Sequence, residues 1–370
     1  MRLIAFYLPQ YHPIPENDLW WGKGFTEWTN VAKAQPLFQG HYQPHIPADL
    51  GFYDLRLEET REDQAQLARQ YGIFGFCYYY YWFDGRRLLE RPLDEVYRSK
   101  RPDFPFCVCW ANEPWTRNWD GKPSEILLPQ THTAESDKRF IIDLLPLLKD
   151  ERYIRINGRP LLLVYRTELL PDLAASALAW REIAGRHGLD LYLCRVESFS
   201  GCDPAEINFD AACEFPPNYV GAMPETATQL KFQRDPHRDF AGSIYDYDKL
   251  ARLLRQRPEA PYKRFLGAAP SWDNTARSDN RATVFVNSSP DRFQGMLRDS
   301  IRKTSQRFSG EEQIVFINAW NEWAEGCHLE PDRRYGHAYL EACRAALGGF
   351  GLTNAETATP SREIAVPYRK

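Results

Sequence analysis

Eight short apolar runs, separated along 370 residues by stretches of helical periodicity, restrict the architecture more than any other feature of this sequence. They are Leu3 to Leu8, Ile73 to Phe83, Phe106 to Ala111, Pro160 to Tyr165, Leu189 to Val196, Phe209 to Cys213, Phe265 to Ala269 and Ile314 to Ile317. Their β-branched and aromatic residues suit strands buried on both faces, the condition of a parallel sheet covered by helices. Helical patterns are expected at Leu57 to Tyr71, Arg87 to Arg98, from a Ser136 cap to Lys149, Asp172 to His187, Tyr245 to Arg257, Pro290 to Phe308 and Tyr335 to Leu347. Strand and helix alternate along most of the chain without an internal linker, which predicts an α/β fold, a single (β/α)8 TIM barrel with long βα loops. Residues 1–352 are expected to form this one domain. Residues 353–370 lack apolar periodicity and read as a C-terminal extension.

In such a barrel the strand C-termini and the loops after them build the site. The polar and aromatic residues there are Tyr7, Tyr11, Trp82, Asn112, Glu113, Arg166, Glu197, Glu214, Trp272, Asp273, Glu322 and Glu325. The densest stretch follows the last strand, where Asn321, Glu322, Trp323, Glu325 and Gly326 stand within six residues. In a continuing strand Glu322 and Glu325 would face opposite ways; a helical turn lets both enter one pocket. Two carboxylates among tryptophans are what glycoside hydrolysis needs, one as proton donor and one as base or nucleophile. Tryptophan also offers an apolar face to a sugar ring. The plainer reading is a helix start, where carboxylates favour the dipole. Asn321, the strand-end position and the tryptophan-rich loops favour the catalytic one.

Trp110, Trp115, Trp119 and Asp120 read as a sugar subsite, against the alternative of core and surface packing. Tyr78, Tyr79, Tyr80 and Tyr81 alternate faces, so at most half can see the pocket. The loop from Pro9 to Asp49 is long enough to imply function, and it carries Trp20, Trp21, Glu27, Trp28, His41 and His45.

Aromatic residues make up 14% of the chain, with 11 Trp and 20 Tyr, and they gather near the strand ends, as in a carbohydrate pocket. A formal charge of −4 without a basic stripe argues against nucleic acid. Neither a secretory h-region nor a membrane-spanning stretch is visible, so a soluble, cytoplasmic protein is expected. The eight cysteines contain no C-x-x-C and read as reduced thiols. Pro44 separates His41 from His45 and no acidic partner follows in a zinc pattern, so no metal is expected there. Asp246-Tyr247-Asp248 matches a D-x-D but stands where a helix begins, as an N-cap would. With no glycine-rich phosphate loop, no cofactor is expected.

Three long motifs carry a resemblance: NEWAEGCHLEP at 321–331, WANEPWTRNWDG at 110–121 and HYQPHIPADLGFYDLR at 41–56. Together they resemble the bacterial WbsX-type polysaccharide-biosynthesis family, related to the endo-α-mannosidases of glycoside hydrolase family 99, over the chain to about residue 345. The resemblance implies a hydrolase-type barrel acting on an oligosaccharide or polysaccharide, with Glu322 as base and Glu325 as acid. In the mannosidases the base is held to deprotonate the sugar's own 2-hydroxyl, giving an epoxide-like intermediate and net retention. This sequence has Ala324 where the mannosidases have His, which puts the sugar preference in question. Glu113 is the rival, since a Glu113 and Glu322 pair would give ordinary double displacement. Three functions follow: cleavage or transfer of an internal α-glycosidic bond in a mannan-like or O-antigen-type glycan, glycosyl transfer from an activated donor, or glycan binding without turnover.

Overall fold

The computed structural model describes residues 1–117, 122–199, 201–218 and 240–349. Eight parallel strands close into a barrel: β1 (Arg2–Tyr7), β2 (Ile73–Phe83), β3 (Phe106–Trp110), β4 (Arg159–Val164), β5 (Tyr192–Glu197), β6 (Ala211–Glu214), β7 (Arg264–Ala268) and β8 (Ile314–Ile317). Each pairs with its neighbours in chain order. β1 closes the ring by pairing with β2, Phe6 opposite Cys77, and with β8, Ala5 opposite Ile317. All eight expected strands are present.

Their burial explains why they are so visible in the sequence. Every residue of β3, β5, β6 and β8 is buried, because inner faces fill the barrel while outer faces meet helices. The covering helices are Glu58–Gln70, Arg91–Ser99, Ala134–Leu148, Leu173–Arg186, Tyr247–Gln256, Pro290–Arg307 and Ala338–Gly348. Between β5 and β6 the connection is a 3-10 turn, Pro204–Ile207.

Several boundaries differ from the sequence expectation. The helix expected from Arg87 begins at Arg91, with Pro92 in the first turn, where its missing N–H costs nothing. Arg86–Leu88 instead pairs back antiparallel on the end of β2. Thr133, not Ser136, caps the next helix by accepting the Ser136 N–H at 3.0 Å. Before Tyr247, Ser243–Asp246 is a short strand beside Thr283–Val286, and Asp246 caps the helix by accepting the Asp248 N–H at 2.7 Å. The last helix starts at Ala338 rather than Tyr335. The Pro9 to Asp49 segment contains two short helices, Pro15–Trp21 and Glu27–Lys33. The proposed extension at 353–370 lies outside the described residues. No cysteine is paired, and among the described residues no helix is long and apolar enough to cross a membrane.

Candidate active site

A cavity of about 250 Å³ opens among the loops that follow the strands. Trp21, Tyr79, Tyr81, Trp115, Tyr165, Phe215 and Trp272 supply aromatic walls, while Gln10, Glu113, Asn218, Arg277, Glu322 and Glu325 supply polar groups. Tyr79 and Tyr81 face inward from β2. Tyr78 packs on Tyr7 and Tyr80 approaches Phe140, as strand alternation requires.

Both carboxylates are carried by a small hairpin beyond β8. Asn321–Glu322 pairs antiparallel with Cys327–His328, and the 3-10 turn Trp323–Glu325 joins them. Gly326 ends the turn at φ +54, a left-handed conformation that glycine adopts without steric cost. Its carbonyl accepts a hydrogen bond from the Ser271 hydroxyl. Asn321 fixes the hairpin to β1: its Oδ1 accepts the Leu8 N–H at 2.7 Å and its Nδ2 donates to the Leu8 carbonyl at 3.0 Å. The Tyr11 hydroxyl donates to the Asn321 carbonyl. Trp323 stacks on His328 with ring centres 3.7 Å apart and donates Nε1–H to Glu330 at 2.7 Å. These residues hold the hairpin from behind and do not line the cavity.

Glu322 and Glu325 converge on one guanidinium. Arg277 donates from Nη2 to Glu322 at 2.8 Å, from Nη1 to Glu325 at 2.6 Å and from Nε to the fully buried Glu27 at 2.8 Å. Burial pushes Glu322 up to about 8 and raises Glu325 as well, Arg277 opposes both shifts, and the crowding of the carboxylates adds to them. One guanidinium thus faces three carboxylates in a poorly hydrated place, so the pair keeps a proton near neutral pH. Which oxygen carries that proton depends on what lies against the two groups. Across the cavity burial also raises Glu113, against the pull of Arg166, which binds both Glu113 and Glu168.

Of the residues singled out in the sequence, Glu113, Trp115, Trp272, Glu322 and Glu325 meet at this cavity, together with Trp21 of the long loop and Tyr79 and Tyr81 of the tyrosine run. Six others lie away from it, engaged elsewhere. Tyr7 is buried and donates its hydroxyl to Gln64 at 2.6 Å. Trp82 and Trp110 face the helix Ala134–Leu148, where Trp110 stacks on Phe140 at 4.0 Å and Trp82 donates to Asp143 at 2.8 Å. Asn112 joins the ends of β3 and β4 through the backbone N–H and carbonyl of Arg166, both at 2.8 Å. Glu197 and Glu214 are buried on Arg257, at 2.7 and 2.8 Å. For these six the geometry replaces a sugar contact with packing or an internal bond. Tyr11, Asn321 and Trp323 serve the hairpin instead. Trp119 and Asp120 lie outside the described residues.

Arg277 was not anticipated. It stands in a polar stretch, Thr275 to Asn280, that reads as an ordinary loop, and nothing local marks one of its charges as buried. Gln10 and Tyr165 carried no signal beyond their positions near strand ends.

The chain matches the family model described as Glycosyltransferase WbsX over residues 3–343. Two curated proteins, each called Uncharacterized protein WxcX and found in two strains of Xanthomonas campestris pv. campestris, are 45% identical over 360 residues, 97% of this chain. The chain spans about half the length of these relatives, 51%. Among solved structures, a glycoside hydrolase-like protein aligns with TM-score 0.58 at 15% identity, covering 93% of each chain. The GH99 endo-alpha-mannosidase from Bacteroides thetaiotaomicron aligns with TM-score 0.56 at 15% identity, covering 95% of this chain and 97% of its own. Likeness at that identity shows a shared fold.

Proposed function

This chain belongs to the WbsX glycosyltransferase family, and on that premise we propose that it cleaves, or transfers across, an internal α-glycosidic bond of a mannan-like or surface-polysaccharide glycan. The observation that carries this reading is the convergence of Glu322 and Glu325 on Arg277 inside an aromatic cavity. A buried Glu322 and a partly buried Glu325, both shifted toward the protonated form, can supply an acid and a base at the same pH. Aromatic faces position sugar rings between them.

In the proposed reaction Glu322 takes the proton of the 2-hydroxyl as that oxygen bonds to C1. The C1 bond to the leaving oxygen breaks, and Glu325 gives that oxygen its proton. Water then attacks C1 and loses a proton to Glu325, while O2 leaves C1 and recovers its proton from Glu322. Two inversions give net retention. The roles of the two residues come from the family resemblance; the shared guanidinium is compatible with them because it favours ionised Glu322 once Glu325 is neutral. Ala324 is buried in the turn and does not line the cavity, so the sugar preference would come from the walls.

The test is turnover on a panel of α-linked oligosaccharides, with product stereochemistry read by NMR. Glu325→Gln and Glu322→Gln are each expected to lower kcat by about 10²- to 10⁴-fold, with an unchanged circular dichroism spectrum. Glu113→Gln should retain turnover. Full activity in both hairpin variants would remove the assignment, and loss confined to Glu113→Gln would move the chemistry across the cavity. The family's description keeps a second reading in view, transfer from an activated sugar donor. Calorimetric binding of a nucleotide sugar, without hydrolysis of any oligosaccharide, would select it.

A further inference from the structure

Behind the hairpin lies a second cavity of about 230 Å³, lined in part by His41, Tyr42, His45, Asp273, His328 and Asp332. Three of these present ligand atoms to one point. His45 Nδ1 is 3.0 Å from His328 Nε2, Asp332 Oδ2 is 3.9 Å from that same nitrogen, and the three atoms lie within 4.8 Å of one another. All three residues are buried, at 8%, 2% and 3% exposure.

The far side of two of these groups is already committed. His328 Nδ1 lies 3.0 Å from the Glu330 carbonyl, which takes its N–H and leaves the Nε2 lone pair facing the other two groups. Asp332 Oδ1 accepts the backbone N–H groups of Arg334 at 2.9 Å and Tyr335 at 2.6 Å, leaving Oδ2 for the shared point. Outer partners of this kind orient the histidines and carboxylates of metal centres. A His45 N–H given to His328 would satisfy that nitrogen and still leave the carboxylate oxygen without a donor. Among the described residues no Lys or Arg nitrogen stands within 4.0 Å of Asp332. His41 is engaged elsewhere, with Nε2 2.7 Å from Asp273.

We propose that His45 Nδ1, His328 Nε2 and Asp332 Oδ2 form a binding site for one divalent transition-metal ion, zinc by its donor set. Ligand atoms on a tetrahedral zinc at roughly 2.0–2.1 Å stand about 3.4 Å apart, so the three groups need only a small adjustment. Two imidazoles and a carboxylate leave the fourth position open to the cavity. The ion would tie the loop after β1 to the segment after the hairpin. Because Trp323 stacks on His328, it would also brace the element that carries Glu322 and Glu325.

The experiment uses the whole chain, stripped by a chelator and titrated with Zn²⁺ and with Co²⁺. One equivalent per chain should bind, with the visible absorption of four-coordinate Co²⁺ and a rise in thermal midpoint on adding Zn²⁺. His45→Phe keeps a ring in place, and Asp332→Asn keeps the Oδ1 acceptor. Each should weaken binding at least tenfold while leaving the far-ultraviolet circular dichroism unchanged. Absence of stoichiometric binding, or binding as tight in both variants as in the wild type, overturns the site. Neither readout involves turnover, so this result stands apart from that of the glycosidase reading.

Discussion

Arg277 is where one side chain sets the chemistry of two others. It donates three hydrogen bonds, to Glu27, Glu322 and Glu325; those to Glu322 and Glu325 favour the ionised form of the pair, while burial favours the neutral form. Removing its charge leaves the burial effect unopposed, so the hairpin carboxyls rise further. A base that must be ionised then becomes available only at higher pH. Arg277→Gln is therefore expected to move the acidic limb of the kcat/KM profile upward by about one pH unit or more, measured on whichever oligosaccharide the wild type turns over. The same substitution carries a stability signature. A carboxyl whose folded pKa lies above its unfolded value binds more protons in the native state, so native stability falls as pH rises through that interval. The variant should match the wild type in urea unfolding near pH 5 and fall behind it near pH 8, because its carboxyls must ionise without their cation. Equal loss at both values would mean that Arg277 acts through packing alone.

The hairpin Asn321 to His328 is the element that converts sequence spacing into a site. Its turn depends on Gly326, where an added Cβ would stand 3.0 Å from the Asp273 Cβ and 3.1 Å from its carbonyl oxygen at φ +54. Gly326→Ala should cost about 1–3 kcal/mol of strain and displace Glu325, so kcat should fall by a larger factor than the urea midpoint alone would account for. The base of the hairpin rests on Glu330, which accepts from Trp323 at 2.7 Å, Tyr53 at 2.8 Å and Gln64 at 2.6 Å. Burial raises its carboxyl to about 7 in spite of those donors. Stability linked to its proton is complete below about 4.5, the usual Glu range, and is lost as pH climbs through about 7. Glu330→Gln should flatten the thermal midpoint between pH 4.5 and pH 7, leaving the slope that Glu322 extends toward pH 8. An unchanged slope would assign the effect elsewhere. The carboxylate pair was legible because a strand end, an odd spacing and neighbouring tryptophans all sit within a few residues. Arg277 and Glu27 were not, since their meeting with the pair depends on loops 45 and 295 positions away from Glu322 that no local pattern connects. The same limit misassigned Trp110 and Trp82: a tryptophan at a strand end reads alike whether it faces the mouth or the covering helix.

At the scale of the whole molecule the barrel could be read because its strands are buried on both sides, so each appears as an unbroken apolar run that no surface strand imitates. Helix starts were less legible, since a proline or a short pairing strand moved them by several residues. Closure of the ring also rests on charges that the sequence placed in the wrong role. Glu197 at the end of β5 and Glu214 at the end of β6 are 1% and 4% exposed, and both bind Arg257, which follows the helix Tyr247–Gln256. Tyr262 adds a hydrogen bond to Glu197 at 2.6 Å, and Arg264 on β7 stands 3.5 Å from Glu214. This network joins β5, β6 and β7 on a side that does not line the cavity around Glu322 and Glu325. Its partners were desolvated together, so removing one cation is far more damaging than replacing the whole group. Arg257→Met should lower the unfolding free energy by about 3–5 kcal/mol, read by urea denaturation at pH 7, while the folded fraction at low temperature still turns over substrate. Adding Glu197→Gln and Glu214→Gln to that variant should recover part of the loss, because no carboxylate would then be left unpaired at this seam, while Arg264, 3.5 Å from Glu214, would lose its own acidic partners. If the triple variant were less stable than Arg257→Met alone, the two carboxylates would be contributing hydrogen bonds that outweigh their charge, and the barrel would be held at this seam by polarity rather than by ion pairing.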